Sequence, residues 1–120
     1  MNKFIKQIAF LVLIITAVTA EASSTTSFIR GNQLLDLCKS NNTVEQGVCE
    51  GYVMGVNDTM HSGFLDKIFQ VCIPLGISPA QLRSVVINYM QTVPRKLHFV
   101  ADGVVAEALA ATFNCNNTPN

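Results

Sequence analysis

Residues 43–63, TVEQGVCEGYVMGVNDTMHSG, decide the fold. Thr43 is followed three residues later by Gln46, the spacing of a capping box in which each side chain satisfies an orphan N–H of a first helical turn. Val44, Val48, Tyr52, Val56 and Met60 then recur at every fourth position, so they share one helical face. Gly47, Gly51 and Gly55 form a second stripe, also four apart. Glycine inside a helix costs about 1 kcal/mol relative to Ala. Three in one stripe point to a flat face that another helix approaches closely, either within the chain or across a subunit boundary. His61-Ser62-Gly63 ends the helix, with Gly63 suited to the left-handed position after a C-cap.

Three further helices are read around this one. Downstream, Ser78 and Gln81 repeat the capping-box spacing, and Pro79 sits at the first helical position. Leu82, Val85, Val86, Tyr89 and Met90 follow at i, i+3, i+4, i+7 and i+8. Upstream, residues 32–39 carry Leu34, Leu37 and Cys38 on one face and end in the turn cluster Ser40-Asn41-Asn42. Beyond Pro94, residues 95–113 read as one helix with Leu97, Val100, Ala101, Val104, Val105 and Ala108 inward. Its end, residues 106–111, is apolar nearly all round, as in a helix buried on more than one side. No strand alternation and no internal repeat is seen. The expectation is an all-α, small four-helix domain.

The N-terminus reads as a secretory signal peptide over residues 1–22. Lys3 and Lys6 precede an apolar run from Ile8 that reaches Val18, and small residues lead to Ala20 and Ala22. The run is shorter than the roughly 20 residues that span a bilayer. Cleavage after Ala22 leaves 98 of the 120 residues, one small domain. Within it, residues 23–30 read as a disordered leader, 31–115 as the folded domain and 116–120 as a tail. A signal peptide implies export from the cytoplasm. The mature part holds 6 Lys and Arg against 7 Asp and Glu, a net charge of −1. That balance offers no basic stripe for nucleic acid, and no second long apolar segment holds a membrane.

A domain of this size has a marginal core, and exported domains often compensate with disulfides. Cys38, Cys49, Cys72 and Cys115 permit three pairings. Cys38–Cys49 with Cys72–Cys115 is preferred. The first would staple the hairpin of the first two helices, and the second would tie the central loop to the end of the last helix. No C-x-x-C occurs, so neither a redox motif nor a zinc knuckle has its spacing.

No catalytic constellation is legible. His61 follows Asp58 by three residues, but nothing places a nucleophile such as Ser62 or Ser84 beside it. His98 lies between Leu97 and Phe99. G-x-S-x-G, H-E-x-x-H and phosphate loops are missing. The chain is therefore expected to bind rather than catalyse, without cofactor or metal. The candidate contact segment is His61, Phe64, Leu65, Asp66, Lys67, Ile68 and Phe69, where aromatic anchors mix with charges as in a hot spot with a polar rim.

Several motifs occur in a fixed order. Gly31-Asn32-Gln33-Leu34-Leu35-x-x-Cys38 precedes Cys49-x-Gly51-Tyr52-Val53-x-Gly55, and Cys72-Ile73-Pro74-x-Gly76-Ile77-x-x-x-Gln81-Leu82 follows. Then come Val85-Val86-x-x-Tyr89-Met90, Pro94-x-x-Leu97-His98 and finally Phe113-x-Cys115. This order resembles the Rap/Tai family of immunity proteins of type VI secretion systems. Val93 before Pro94 and Asn114 before Cys115 depart from the pattern, where His and Pro are expected. The resemblance implies an all-helical, disulfide-containing and often dimeric periplasmic protein. It also implies that the partner is a peptidoglycan amidase, delivered by neighbouring bacteria, whose active site is blocked. A periplasmic acid-stress chaperone or an envelope-assembly subunit of the same fold are the alternatives.

Overall fold

A computed structural model describes residues 28–63 and 65–117. Its α-helices are α1 (Gly31–Lys39), α2 (Thr43–Met60), α3 (Leu65–Phe69), α4 (Pro79–Thr92) and α5 (Ala101–Thr112). Short 3-10 turns cover Pro94–Lys96 and Cys115–Asn117. The fold is all-α, with four longer helices and the five-residue α3. Among the described residues the extended pairing is limited to two isolated bridges, Arg30 with Val100 and Val71 with Asn114. The signal-peptide reading of residues 1–22 lies outside the described residues.

The core forms where α5 packs against α1, α2 and α4. Ala101, Val104, Val105, Ala108 and Leu109 are all buried, in keeping with a helix that is apolar nearly all round. Its alanines let neighbouring helices approach closely. Leu34 of α1, Val53 of α2, and Val86 and Met90 of α4 are fully buried with them. One stripe of each surrounding helix faces α5.

Both disulfides have the preferred pairing, Cys38–Cys49 and Cys72–Cys115. The first joins the end of α1 to the second turn of α2. The second sits inside the Val71–Asn114 bridge, where Cys72 N donates to Phe113 O at 2.7 Å and Cys115 N donates to Gln70 O at 3.1 Å.

Three expectations need correction. Asn42 caps α2, not Thr43: its side-chain oxygen accepts from Val44 N and Glu45 N. Gln46 reaches further back, and its amide donates to Ser40 O. The α4 cap, in contrast, has the expected form, with Ser78 and Gln81 bonded reciprocally.

The last helix begins at Ala101 rather than Arg95. Its expected first turn is spent on α1. Gly31 N donates to Phe99 O and Asn32 N donates to Leu97 O, so these carbonyls satisfy orphan amides at the start of α1. Ala101 N donates to Ile29 O in return, and the Arg30 guanidinium donates to His98 O. The two helix starts cap each other, and Ile29 and Arg30 belong to the ordered fold.

The glycine stripe is not filled from within the described chain. A Cβ built on Gly47, Gly51 or Gly55 would meet no atom within 4 Å. Among the described residues no helix packs closely there, so the close intrachain approach expected at the stripe is not found. Val44 and Val48 on the same helix are 72% and 51% exposed, which leaves α2 with an uncovered apolar face.

Candidate functional site

The chain reverses direction between α2 and α3. α2 ends at Met60, His61 is its C-cap, and Gly63 takes a left-handed φ of 54° that frees the chain to turn. After α3 a second left-handed residue, Gln70 at φ 46°, turns the chain into the disulfide segment. Between these turns α3 stands as a wall that separates two concavities.

On one side lies an apolar groove of about 700 Å³. Leu65 and Phe69 of α3 form one wall. Gly51, Gly55 and Val56 of α2 face Gly103 and Ala106 of α5 across it. Small residues on both helices keep the groove open. Tyr52 and Asp102 also line it. Burial, and then the negative charge of Asp102, raise the Tyr52 phenol above its ordinary value, while a hydrogen bond with the Asp102 backbone acts in the opposite direction.

On the other side lies a more polar recess of about 650 Å³, lined by His61, Asp66, Lys67, Gln70 and the Cys72–Cys115 disulfide. The exposed Asp66 and Lys67 present opposite charges at its rim. Ile68 lies on the crest of the wall and is 58% exposed. The structure therefore brings together His61, Leu65, Asp66, Lys67, Ile68 and Phe69. The side chain of Phe64 lies outside the described residues.

The groups weighed as catalytic are engaged otherwise. His61 places Nδ1 2.9 Å from Asn57 O and Nε2 2.8 Å from Val71 O. Ser62 Oγ donates to Thr59 O, and Ser84 Oγ donates to Ala80 O. The His98 ring lies 4.1 Å from that of Phe99. Among the described residues no group of three or more His, Cys, Asp or Glu is placed to hold a metal ion. No described helix is long and apolar enough to cross a membrane.

The model of the Rap1a immunity proteins matches residues 30–115. The chain belongs to this family. The Rap1a match begins at Arg30, which bridges to Val100, and ends at Cys115, so it takes in both disulfides, the groove and α3. No curated protein matches the chain. The family expected from the order of motifs is the one found.

Sequence reasoning marked residues 61–69 as a contact segment through their mixture of aromatic and charged residues, but it read no helix there and it missed the groove. The signal was present in Gly51 and Gly55. These were read as a seat for a closely packed helix, from this chain or from a second subunit, whereas among the described residues they line an open groove.

Proposed function

We propose that this protein is a periplasmic immunity protein that binds and blocks a peptidoglycan amidase delivered by a type VI secretion system. Membership of the Rap1a immunity proteins supports the protective role. The observation that carries the contact surface is α3. It projects between an apolar groove and a charged recess, with Ile68 exposed at its crest. A wall with an apolar crest, one apolar flank and one charged flank, tied down by a disulfide, is suited to plug another protein's cleft, because a constrained segment loses less ordering entropy on binding. The disulfide at the base of the recess holds the wall to the end of α5.

The protein works by binding, not as an enzyme, and needs no cofactor or metal. The uncovered face of α2, with Val44, Val48 and the open glycines, serves a homodimer; because Gly51 and Gly55 share their groove with Leu65 and Phe69, it is the crest and the recess side of α3 that stay free for the amidase. The chaperone alternative would require carboxylates that titrate when apolar faces separate. Among the described residues no charged side chain is buried, so that reading draws no support from the core.

The test is capture of secreted amidase effectors by the tagged mature protein with its disulfides intact. A stoichiometric complex that abolishes peptidoglycan cleavage is expected. Ile68→Asp and Lys67→Glu, both at exposed positions, should weaken it without unfolding the domain. Failure to bind any amidase in a broad panel refutes the proposal. Binding that survives both substitutions moves the contact away from α3.

A further inference from the structure

The two ring contacts of His61 impose a condition that the protein–protein reading does not use. Nδ1 meets Asn57 O at 2.9 Å and Nε2 meets Val71 O at 2.8 Å. Both partners are backbone carbonyls, which only accept hydrogen bonds. Each ring nitrogen must therefore donate. A neutral imidazole has one N–H, so only the imidazolium makes both bonds. In the neutral ring one nitrogen lone pair would point at a carbonyl oxygen at hydrogen-bond distance, and that contact is repulsive.

The surroundings favour the cation. His61 caps the C-terminus of α2, where the helix dipole attracts positive charge, and the last turn of α2 has no other basic residue. Asp58 from α2 and Asp66 from α3 add attraction, while Lys67 of α3 lines the same recess and opposes it. The disulfide that completes the recess does not titrate. The His61 pKa is accordingly raised from 6.5, first by the bond to Asn57 and then by the bond to Val71, against the effect of desolvation.

We propose that His61 is a proton-dependent staple that fastens the end of α2 to Val71 and so holds the α3 wall closed against the Cys72–Cys115 bridge. The Nε2 bond is the one that opens. Asn57 O also accepts from the His61 backbone N–H at 3.1 Å, so the end of α2 keeps a bond when the ring loses its proton. The Val71 contact crosses from α2 to the far side of α3, so its loss removes the tie across the wall and loosens α3 against α2, while the Val71–Asn114 bridge and the disulfide keep the far end attached to α5. The proton therefore tightens the candidate contact surface under mildly acidic conditions and loosens it under basic ones. The staple stands on the geometry alone; its effect on binding rests on the inhibitor reading.

The test begins on the unsubstituted mature protein, by nitrogen-15 NMR of the imidazoles between pH 5 and 9, with His98→Ala used for assignment. Both His61 nitrogens should carry protons at pH 6, and the midpoint should lie above 6.5. Amide exchange across residues 65–72, corrected for its intrinsic pH dependence, should quicken as the pH passes that midpoint. In His61→Gln this extra step should vanish, because the side-chain amide does not titrate. A neutral single tautomer at pH 6 overturns the proposal, as does unchanged pH-dependent exchange in His61→Gln. A final arm measures amidase affinity at pH 6 and pH 8.5. A several-fold loss at the higher pH in the unsubstituted protein, and none in His61→Gln, supports control of binding. Equal affinity at both pH values, with the NMR result intact, overturns control of binding. Absence of amidase binding at either pH refutes the inhibitor reading and leaves the NMR result to decide the staple.

Discussion

Gly31 lies against Leu97 so closely that a Cβ added to it would stand 3.0 Å from the Leu97 Cα and 3.1 Å from its carbonyl oxygen. The obstacle is backbone, and that backbone is fixed by the Asn32 N to Leu97 O bond at 2.8 Å. A side chain at position 31 would therefore push α1 away from the segment that leads into α5. Overpacking of this kind typically costs about 1–3 kcal/mol. Gly31→Ala should lower the denaturant midpoint by a corresponding amount with little change in slope, since the contact is local. A midpoint equal to that of the unsubstituted protein would show that the two segments separate freely.

The opposite outcome is expected at Gly51 and Gly55. Nothing lies within 4 Å of a Cβ at either site, and Ala favours a helix interior by about 1 kcal/mol over Gly. Gly51→Ala should therefore stabilise the monomer, with a rise in Tm of about 4–8 °C for each kcal/mol in a domain of this size. The added methyl would narrow the groove and hold an approaching helix off. If that face binds a second copy, Gly51→Ala should raise Tm in dilute solution while weakening the dimer in sedimentation equilibrium. A stronger dimer would contradict the proposed role of the open face.

These glycines mark the boundary of what was legible before the structure. α4 could be read because its signals agree: Ser78 and Gln81 form the cap, Pro79 starts the helix, and Leu82, Val86 and Met90 supply the buried stripe. α2 was legible in type but slipped by one residue at its cap, since Asn42 and Thr43 are adjacent and both suit that position. The start of α5 was hidden because a tertiary relationship decides it. The carbonyls of Leu97 and Phe99 bond to α1 amides more than sixty residues earlier, and no local pattern records that. α3 has five residues, too few to show a period, and only its composition marked it. The groove needs three elements to converge, so one stripe of glycines signalled an open face without showing what surrounds it.

The two disulfides should differ in their contribution. Cys38–Cys49 closes a separation of 11 residues and Cys72–Cys115 one of 43. In the chain-entropy model the shorter loop is worth about 3 kcal/mol and the longer about 4. Either is comparable to the net stability of a small domain. Paired Cys→Ser variants should both lose stability, the Cys72/Cys115 pair more. The difference should also be regional. Loss of Cys72–Cys115 should raise amide exchange around α3 and the end of α5, whereas loss of Cys38–Cys49 should loosen the α1–α2 hairpin. Uniform exchange in both variants would show that neither bridge supports a particular surface.

Acid should act through Glu107. Its carboxylate accepts from Lys96 Nζ at 2.7 Å and from the Tyr89 hydroxyl at 3.0 Å, which links α5 to α4 and to the turn between them. The Lys96 contact, helped by Tyr89, lowers the Glu107 pKa from 4.5 against the effect of desolvation. A carboxyl group whose pKa falls on folding stabilises the protein above its unfolded value. That stability is lost as the pH drops through the depressed folded value. Urea midpoints of the unsubstituted protein and Glu107→Gln should therefore differ at pH 6 and converge as the pH falls below 4.5. The difference at pH 6 should be small and should shrink in 1 M salt, because the pair is nearly half exposed and screened. Tyr89→Phe should reproduce part of the loss, since it removes one donor and leaves the ion pair. A gap between the unsubstituted protein and Glu107→Gln that persists unchanged at low pH would assign the contribution to packing of the side chain rather than to its charge.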